Sequence, residues 1–295
     1  MATTTLTLPD GRELEYLTGG DENGFPLLYH SGTPSAAVEY APLSQAAGQA
    51  GLRLVTYSRP GYGASTPRPD DSAPVMADDV ADSVLLLDAL GVRDFVTLGW
   101  SGGGPRALGC AALLADRCRA ATSLAGVAPA DGTGLDFTAG MGPENVRDFD
   151  LAARGREELR PVVEQEVAEF GAVTGDDIVA AFGELVDEVD AGALTGELAD
   201  YLAASFRRSA AQGAVGLLED NLQVMRPWGF DVGAITVPVS VWQGAHDKMV
   251  PFGHGQWLAN AVPGARVHLF DDEGHVSLVH RLDEMFAELR ELARL

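Results

Sequence analysis

The chain is short of positive charge. Its 295 residues include 43 acidic and 20 basic side chains, a net charge of -23, and Lys248 is its single lysine. A polyanion would be repelled over most of such a surface, so neither nucleic acid nor an anionic membrane is an expected partner. Long apolar runs are also lacking. No stretch approaches the roughly 20 residues that span a bilayer, and Met1-Ala2-Thr3-Thr4-Thr5 has neither the basic start nor the apolar core of a signal peptide, so a cytoplasmic protein is expected. Cysteine is scarce: Cys110 and Cys118 are too few for a disulfide framework, and no Cys/His spacing suggests zinc. Free, mostly buried thiols and no metal are the expectation. There is no internal repeat and no low-complexity linker.

What is present is a hydrophobic content of 46% with a mean hydropathy of +0.04, enough for one large folded core. Strand and helix signals alternate. Thr3 to Leu8 and Glu13 to Leu17 flank the turn sequence Pro9-Asp10-Gly11 and read as an antiparallel hairpin. Short apolar runs at Pro26 to His30, Leu52 to Tyr57, Phe95 to Leu98, Ala120 to Ala125, Val237 to Trp242 and Arg266 to Phe270 read as buried strands. Met76, Val80, Val84, Leu87 and Leu90 recur at spacings that place them on one helix face, ended by Gly91. Leu278, Leu282, Met285, Phe286, Leu289 and Leu292 do the same near the C-terminus. This pattern predicts an α/β fold with a mostly parallel sheet and helices on both faces.

Residues 131–230 break the alternation. They hold no convincing strand, and helices are expected at Pro143 to Arg154, Glu157 to Phe170, Asp176 to Val189 and Glu197 to Met225. With 20 acidic and 7 basic residues, this third of the chain carries more than half of the net charge. An all-helical insertion between two strands predicts a cap over the carboxyl ends of the sheet, where α/β folds bind ligands. Residues 1–130 and 231–295 would then form the core.

The chemistry is expected at Gly99-Trp100-Ser101-Gly102-Gly103, a G-x-S-x-G sequence between a strand and a helix. Such a turn lifts the serine off the strand end and needs small residues where the backbone comes close, which makes Ser101 the candidate nucleophile. A serine hydroxyl needs a base to take its proton, and the base needs a third group to fix its tautomer. His275, in the loop between the last strand and the terminal helix, is the candidate base. His254 and His280 read as exposed helix ends, and His268 lies within a strand. The acid is expected to be Asp247, just past the strand ending at Trp242, with Asp131 as competitor. Asp271 and Asp272 are too close to His275 in sequence to orient its ring. For the oxyanion, Gly102 N–H is one expected donor and Thr33 N–H the other, with Gly32 as the alternative to Thr33. His30, at the end of its strand, is expected in a structural hydrogen-bonding role, with the pocket wall as the alternative, and Trp100, beside the nucleophile, is a candidate for the pocket wall.

Ser31-Gly32-Thr33-Pro34-Ser35 resembles the H-G-x-P-G-S loop of the α/β-hydrolase superfamily, and Ser58-Arg59-Pro60-Gly61-Tyr62-Gly63-Ala64-Ser65 resembles its D-R-P-G-Y-G-x-S turn. The settings of Ser101, Asp247 and His275 complete the resemblance over nearly all of the chain outside the insertion. Two positions depart from the pattern: Ser31 stands where a His is usual and Ser35 where a Gly is usual. The resemblance implies the α/β-hydrolase fold, with an eight-stranded-type sheet and a helical cap. It also implies a cofactor-independent serine hydrolase acting on a small ester or lactone through an acyl-enzyme on Ser101. Two other readings stay open: hydrolysis of a carbon–carbon bond or a lyase reaction with the same triad, and a non-catalytic protein that binds a small molecule on a hydrolase scaffold. Ser101 argues against the epoxide hydrolases and haloalkane dehalogenases, which use an Asp nucleophile. The expected partner is a small-molecule substrate, and nothing in the sequence sets an oligomeric state.

Overall fold

A computed structural model of the chain describes residues 2–182 and 186–295. The N-terminal hairpin is β1 (Thr4–Thr7) and β2 (Glu13–Gly20), followed by β3 (Phe25–His30), α1 (Ala41–Gln49), β4 (Leu52–Tyr57), α2 (Met76–Ala89), β5 (Phe95–Trp100), α3 (Gly104–Leu113) and β6 (Cys118–Leu124). Among the described residues six helices then intervene: α4 (Pro143–Arg154), α5 (Arg156–Phe170), α6 (Gly175–Phe182), α7 (Glu188–Ala193), α8 (Gly196–Ser209) and α9 (Val215–Met225). The sheet resumes with β7 (Val239–Gly244), α10 (Phe252–Ala261) and β8 (Arg266–Phe270), and the chain closes with α11 (Leu282–Ala293).

The strands form one eight-stranded sheet in the order β1-β2-β4-β3-β5-β6-β7-β8. β1 and β2 pair antiparallel, as does β2 with β4, and every later pair is parallel. A parallel sheet must be covered on both faces, and β5 and β7 are accordingly buried along their whole length. Alternation assigns their side chains to opposite layers. Leu27, Tyr29, Val96, Leu98 and Trp100 pack with Leu43 and Ala47 of α1 and with Met285, Phe286 and Leu289 of α11. Leu28, Phe95 and Ala121 pack with Met76, Val80 and Leu87 of α2, Leu108 of α3 and Leu258 of α10.

The α2 face expected from the apolar spacing is present, with Met76, Val80 and Leu87 buried and Val84 and the flanking Leu90 half-buried, and Asp79, Asp82 and Ser83 also lie inside. The carboxylates are tolerated there because they pair: Asp79 takes Arg68 and Arg106, and Asp82 takes Arg12 and Arg68. The helix expected to run from Glu197 to Met225 is two, α8 and α9, because Gly213 between them adopts φ +77°, which a right-handed helix cannot contain. The helix expected over Asp176 to Val189 is α6 and the start of α7, and its middle, 183–185, lies outside the described residues.

The ends of the inserted stretch are tied to the sheet. Phe137, Met141 and Trp228 pack in the α2/α3/α10 layer, and the Trp228 carbonyl accepts the N–H of Ala77. Both cysteines are free and buried, and burial pushes their thiols up, Cys118 to about 12. No described helix is long and apolar enough to cross a membrane, and no group of three His, Cys, Asp or Glu side chains among the described residues is arranged to hold a metal ion.

Candidate active site

Residues 95–113 form the strand, sharp turn and helix that the G-x-S-x-G pattern requires. β5 ends at Trp100, a single 3-10 turn covers Ser101–Gly103, and α3 follows directly. Ser101 has φ +56°, in the left-handed region that a non-glycine residue rarely occupies. The flanking glycines are there for space. A β-carbon on Gly99 would lie 2.1 Å from the Gly103 carbonyl oxygen, and one on Gly103 would lie 2.0 Å from the carbonyl oxygen of His30. The loop after β3 backs onto the serine, since a β-carbon on Gly32 would sit 3.3 Å from Ser101 Cβ, and one on Gly102 would sit 2.4 Å from Thr33 Oγ1. Gly32, Thr33, Ser101 and Gly102 are therefore one compact group at the carboxyl edge of the sheet.

β7 and β8 bring a second pair to the same edge. His275 Nδ1 lies 2.8 Å from Asp247 Oδ2, and both residues are buried. Asp247 is held by its other contacts: Oδ1 accepts the N–H groups of Met249 (2.9 Å) and Val250 (2.7 Å), and Oδ2 accepts the side-chain amide of Gln243 (2.9 Å). The proton of a neutral His275 is thereby placed on Nδ1, which leaves Nε2 as an acceptor. Burial alone would lower the pKa of His275, but the Asp247 carboxylate beside it, with Asp190 behind, raises it. The rings of His275 and Trp100 sit 5.8 Å apart, and Trp100 Nε1–H donates to the His275 carbonyl at 3.2 Å. Asp131, the competitor for the acid, is exposed.

The loop bearing His275 has an anchor that the sequence did not reveal. Asp190 of α7 is fully buried, and its carboxylate accepts three successive N–H groups, those of His275 (2.7 Å), Val276 (2.7 Å) and Ser277 (2.9 Å). Gly274 is the residue that permits this approach, since a β-carbon there would lie 2.4 Å from Asp190 Oδ1. Asp190 lies 85 residues from His275 in sequence and its partners are main-chain groups, so no side-chain motif marks it.

Ser101 and Gly102 open onto a cavity of about 510 Å³. Thr33, Pro34, Val127, Met249 and Val250 line it from the sheet side, and residues of α4, α5, α6, α8 and α9, with Val173 between α5 and α6, line the rest. Phe149, Phe170, Phe182 and Phe206 make much of that wall apolar, while Glu144, Asp148, Glu166 and Glu169 are its carboxylates and Arg147 is the one cation among the described lining residues. Arg147 pairs with both Asp148 and Glu166. Burial and the nearby Asp148 nonetheless push Glu166 up to about 7.

Trp100, a candidate for the pocket wall from sequence, does not line this cavity, and His30 takes its structural role rather than its pocket one. Trp100 points to the α1/α11 layer. His30, one residue out of phase with Tyr29, points to the other layer, where its ring nitrogens face the Tyr57 hydroxyl (3.4 Å) and Cys110 Sγ (3.6 Å). Burial and the cations Arg59 and Arg106 depress its pKa to about 3, so it is neutral. His254 is likewise no exposed helix end. It is buried, with Nδ1 taking the Ala128 N–H (3.1 Å) and Nε2 facing the Phe137 carbonyl (2.8 Å).

Residues 26–281 match the family defined by the alpha/beta hydrolase fold. The chain is a member of that family. Among curated proteins, this α/β hydrolase is 28% identical over 267 residues to a pimeloyl-[acyl-carrier protein] methyl ester esterase of Aromatoleum aromaticum, a match covering 88% of this chain and 92% of the relative. Among solved structures it superposes on a bromoperoxidase from Bacillus anthracis with a TM-score of 0.74 at 17% identity, over the whole of both chains. It superposes on the enol-lactonase from Burkholderia xenovorans with a TM-score of 0.67 at 20% identity, over 99% of this α/β hydrolase and all of that one. At such identities the superpositions speak for the fold alone.

Proposed function

We propose that the protein is a serine hydrolase of small, uncharged esters or lactones. The observation that carries the reading is the Asp247–His275 pair, 2.8 Å apart and buried, at the same sheet edge where the strained Ser101 opens onto a cavity of about 510 Å³. In this reading His275 Nε2 takes the proton of Ser101 Oγ as the hydroxyl attacks the acyl carbon, and Asp247 holds the Nδ1 proton and stabilises the imidazolium. The tetrahedral oxyanion is met by the N–H groups of Gly102 and Thr33. Collapse expels the alcohol, which takes the proton from His275, and water activated by the same base then resolves the acyl-enzyme. The nearest support for ester chemistry is the likeness over most of both chains to a methyl ester esterase.

Residues 131–230 act as the cap of this site, with the cavity between cap and sheet edge as the substrate pocket. Its phenylalanines favour an apolar acyl or alcohol group, and its carboxylates disfavour an anion. The cytoplasmic setting expected from the sequence belongs to the same proposal. The test is a panel of p-nitrophenyl esters of increasing acyl length, run beside labelling with a fluorophosphonate. Turnover of neutral esters and a single label on Ser101 are expected. Turnover that persists in Ser101→Ala, or a label on another serine, overturns the assignment.

A further inference from the structure

A second buried carboxylate of the inserted helices, Asp220 of α9, accepts from five donor atoms, and those of Thr33, Arg59 and Arg106 lead back to the oxyanion group. Asp220 Oδ2 accepts the hydroxyl of Thr33 (2.7 Å), Arg59 Nη2 (2.6 Å) and the Tyr62 hydroxyl (3.0 Å). Its Oδ1 accepts Arg59 Nε (3.0 Å) and Arg106 Nη2 (2.8 Å). Arg59, Arg106 and Asp220 are all buried.

The two guanidiniums then reach onward. Arg59 Nη1 donates to the carbonyl of Ser31 (2.8 Å) and Nη2 to the carbonyl of Gly32 (2.7 Å). The Gly32 carbonyl belongs to the same peptide plane as the Thr33 N–H, so a donor fixed on one end sets the direction of the other and polarises it. Arg106 Nη1 donates to the Gly102 carbonyl (2.6 Å), in the turn that carries the second N–H. One carboxylate therefore holds in register the two guanidiniums that grip the two donor segments. Its contact with the Thr33 hydroxyl ties the first of those segments directly.

We propose that Asp220 is a positioning residue for the oxyanion-binding loop, through which the inserted helices set the aim of the Thr33 N–H. The proposal rests on the ester-hydrolase reading. The physical consequence is specific. Without the charge of Asp220, Arg59 is a buried cation that has lost the carboxylate it pairs with, and it relaxes away from the carbonyls of Ser31 and Gly32. Substrate binding in the apolar part of the cavity is untouched, and what is lost is a hydrogen bond that strengthens as charge develops on the oxygen.

The experiment compares the wild type with Asp220→Asn, Thr33→Val and Tyr62→Phe, using an oxygen ester and its thiono counterpart. A thiono sulfur accepts hydrogen bonds poorly, so the ratio of the two rates reports how well the donors are aimed, and general loss of stability does not move it. Asp220→Asn is expected to lower kcat for the oxygen ester by about 10- to 100-fold with KM little changed, less than the roughly 10² to 10³ that outright loss of one oxyanion donor costs. The oxygen-to-thiono ratio should shrink with it. Thr33→Val removes only the hydroxyl that reaches Asp220 and keeps the N–H. It should shift the ratio in the same direction, and it serves if Asp220→Asn does not fold. Tyr62→Phe takes one neutral donor from the carboxylate and leaves both guanidiniums in place, so its ratio should stay at the wild-type value. Hydrogen exchange of the amides in 31–36, faster in Asp220→Asn, reads release of the loop without reference to activity. A ratio and loop exchange unchanged in Asp220→Asn and in Thr33→Val would overturn the proposal. A wild type that hydrolyses neither ester overturns the ester reading instead, and the exchange result still decides whether Asp220 holds the loop.

Discussion

Asp190→Ala isolates the anchor of the His275 loop. The wild-type carboxylate accepts three main-chain N–H groups at 2.7 to 2.9 Å in a buried setting. Truncation leaves those three donors without a partner, and at about 1 to 3 kcal/mol for each buried group left unsatisfied the lower end of the sum is about 3 kcal/mol. The lower end is the appropriate figure, because burial pushes the Asp190 carboxyl above its ordinary range, and removing a poorly solvated charge offsets part of the loss. With an unfolding entropy of about 2 cal/mol/K per residue over a chain of this length, that corresponds to a Tm lower by about 5 °C. Asp190→Asn keeps one acceptor oxygen for two of the N–H groups and should cost about 1 kcal/mol.

The catalytic readout is larger, because a base displaced by about 1 Å can lose about 10²-fold in rate. The pH profile gives a third readout. His275 must be neutral to accept a proton, and its pKa is raised, so the acidic limb of kcat/KM is expected above the pH at which an ordinary imidazole titrates. Asp190 is one of the charges that raise it, so in either variant the limb moves to lower pH. The assays are thermal unfolding and kcat/KM for a neutral ester from pH 5 to 9. An Asp190→Ala protein with the wild-type Tm and profile, or a limb that moves upward, would refute the reasoning.

Asp247→Asn should lower kcat by about 10² to 10⁴ with little change in KM, since the wrong tautomer of His275 is then favoured. Asp131→Asn, a change at an exposed site, should leave steady-state kinetics at the wild-type level. Gly274→Ala should reproduce the Asp190→Ala phenotype, because the new β-carbon would collide with Asp190 Oδ1; normal stability and kinetics would show that the close approach is not needed. For two esters differing only in a remote carboxylate, the neutral one should be favoured in kcat/KM. The preference should narrow as salt shortens the Debye length from about 30 Å at 0.01 M to about 8 Å at 0.15 M. It should also widen as pH rises through about 7, where Glu166 passes from its neutral to its charged form. A ratio indifferent to both salt and pH would place the acidic residues outside the substrate's path.

What was legible in the sequence was what depends on local pattern. The sheet strands are short apolar runs, and the turn at Ser101 is defined by glycines whose spacing is set by contacts within a few residues. The order of Ser101, Asp247 and His275 follows the chain's passage along the sheet edge. What was not legible depends on partners far away in sequence. Asp79 and Asp82 look like solvent-facing residues of α2 until Arg12, Arg68 and Arg106 are brought to them. His254 looks exposed until the chain near Ala128 and Phe137 folds over it. Asp190 and Asp220 read as two more charges in an acidic insertion, yet both are buried. A weak signal did exist for Asp220, which lies between Leu217, Leu218 and Leu222 in a helix whose neighbouring positions are buried. Trp100 was misplaced by adjacency, because the cavity belongs to the residues that leave the sheet edge and its side chain points into the α1/α11 layer, whereas His30 has the structural hydrogen-bonding role expected of it.

The most direct test of the central claim is the mass of the protein during turnover. Wild-type protein mixed with a p-nitrophenyl ester and quenched in acid before the first turnover is complete should gain the mass of one acyl group. Peptide mapping should place that group on Ser101, with Ser101→Ala remaining unmodified under the same conditions. Ester turnover with no acyl adduct at any quench time, or an adduct on a residue other than Ser101, would contradict the account.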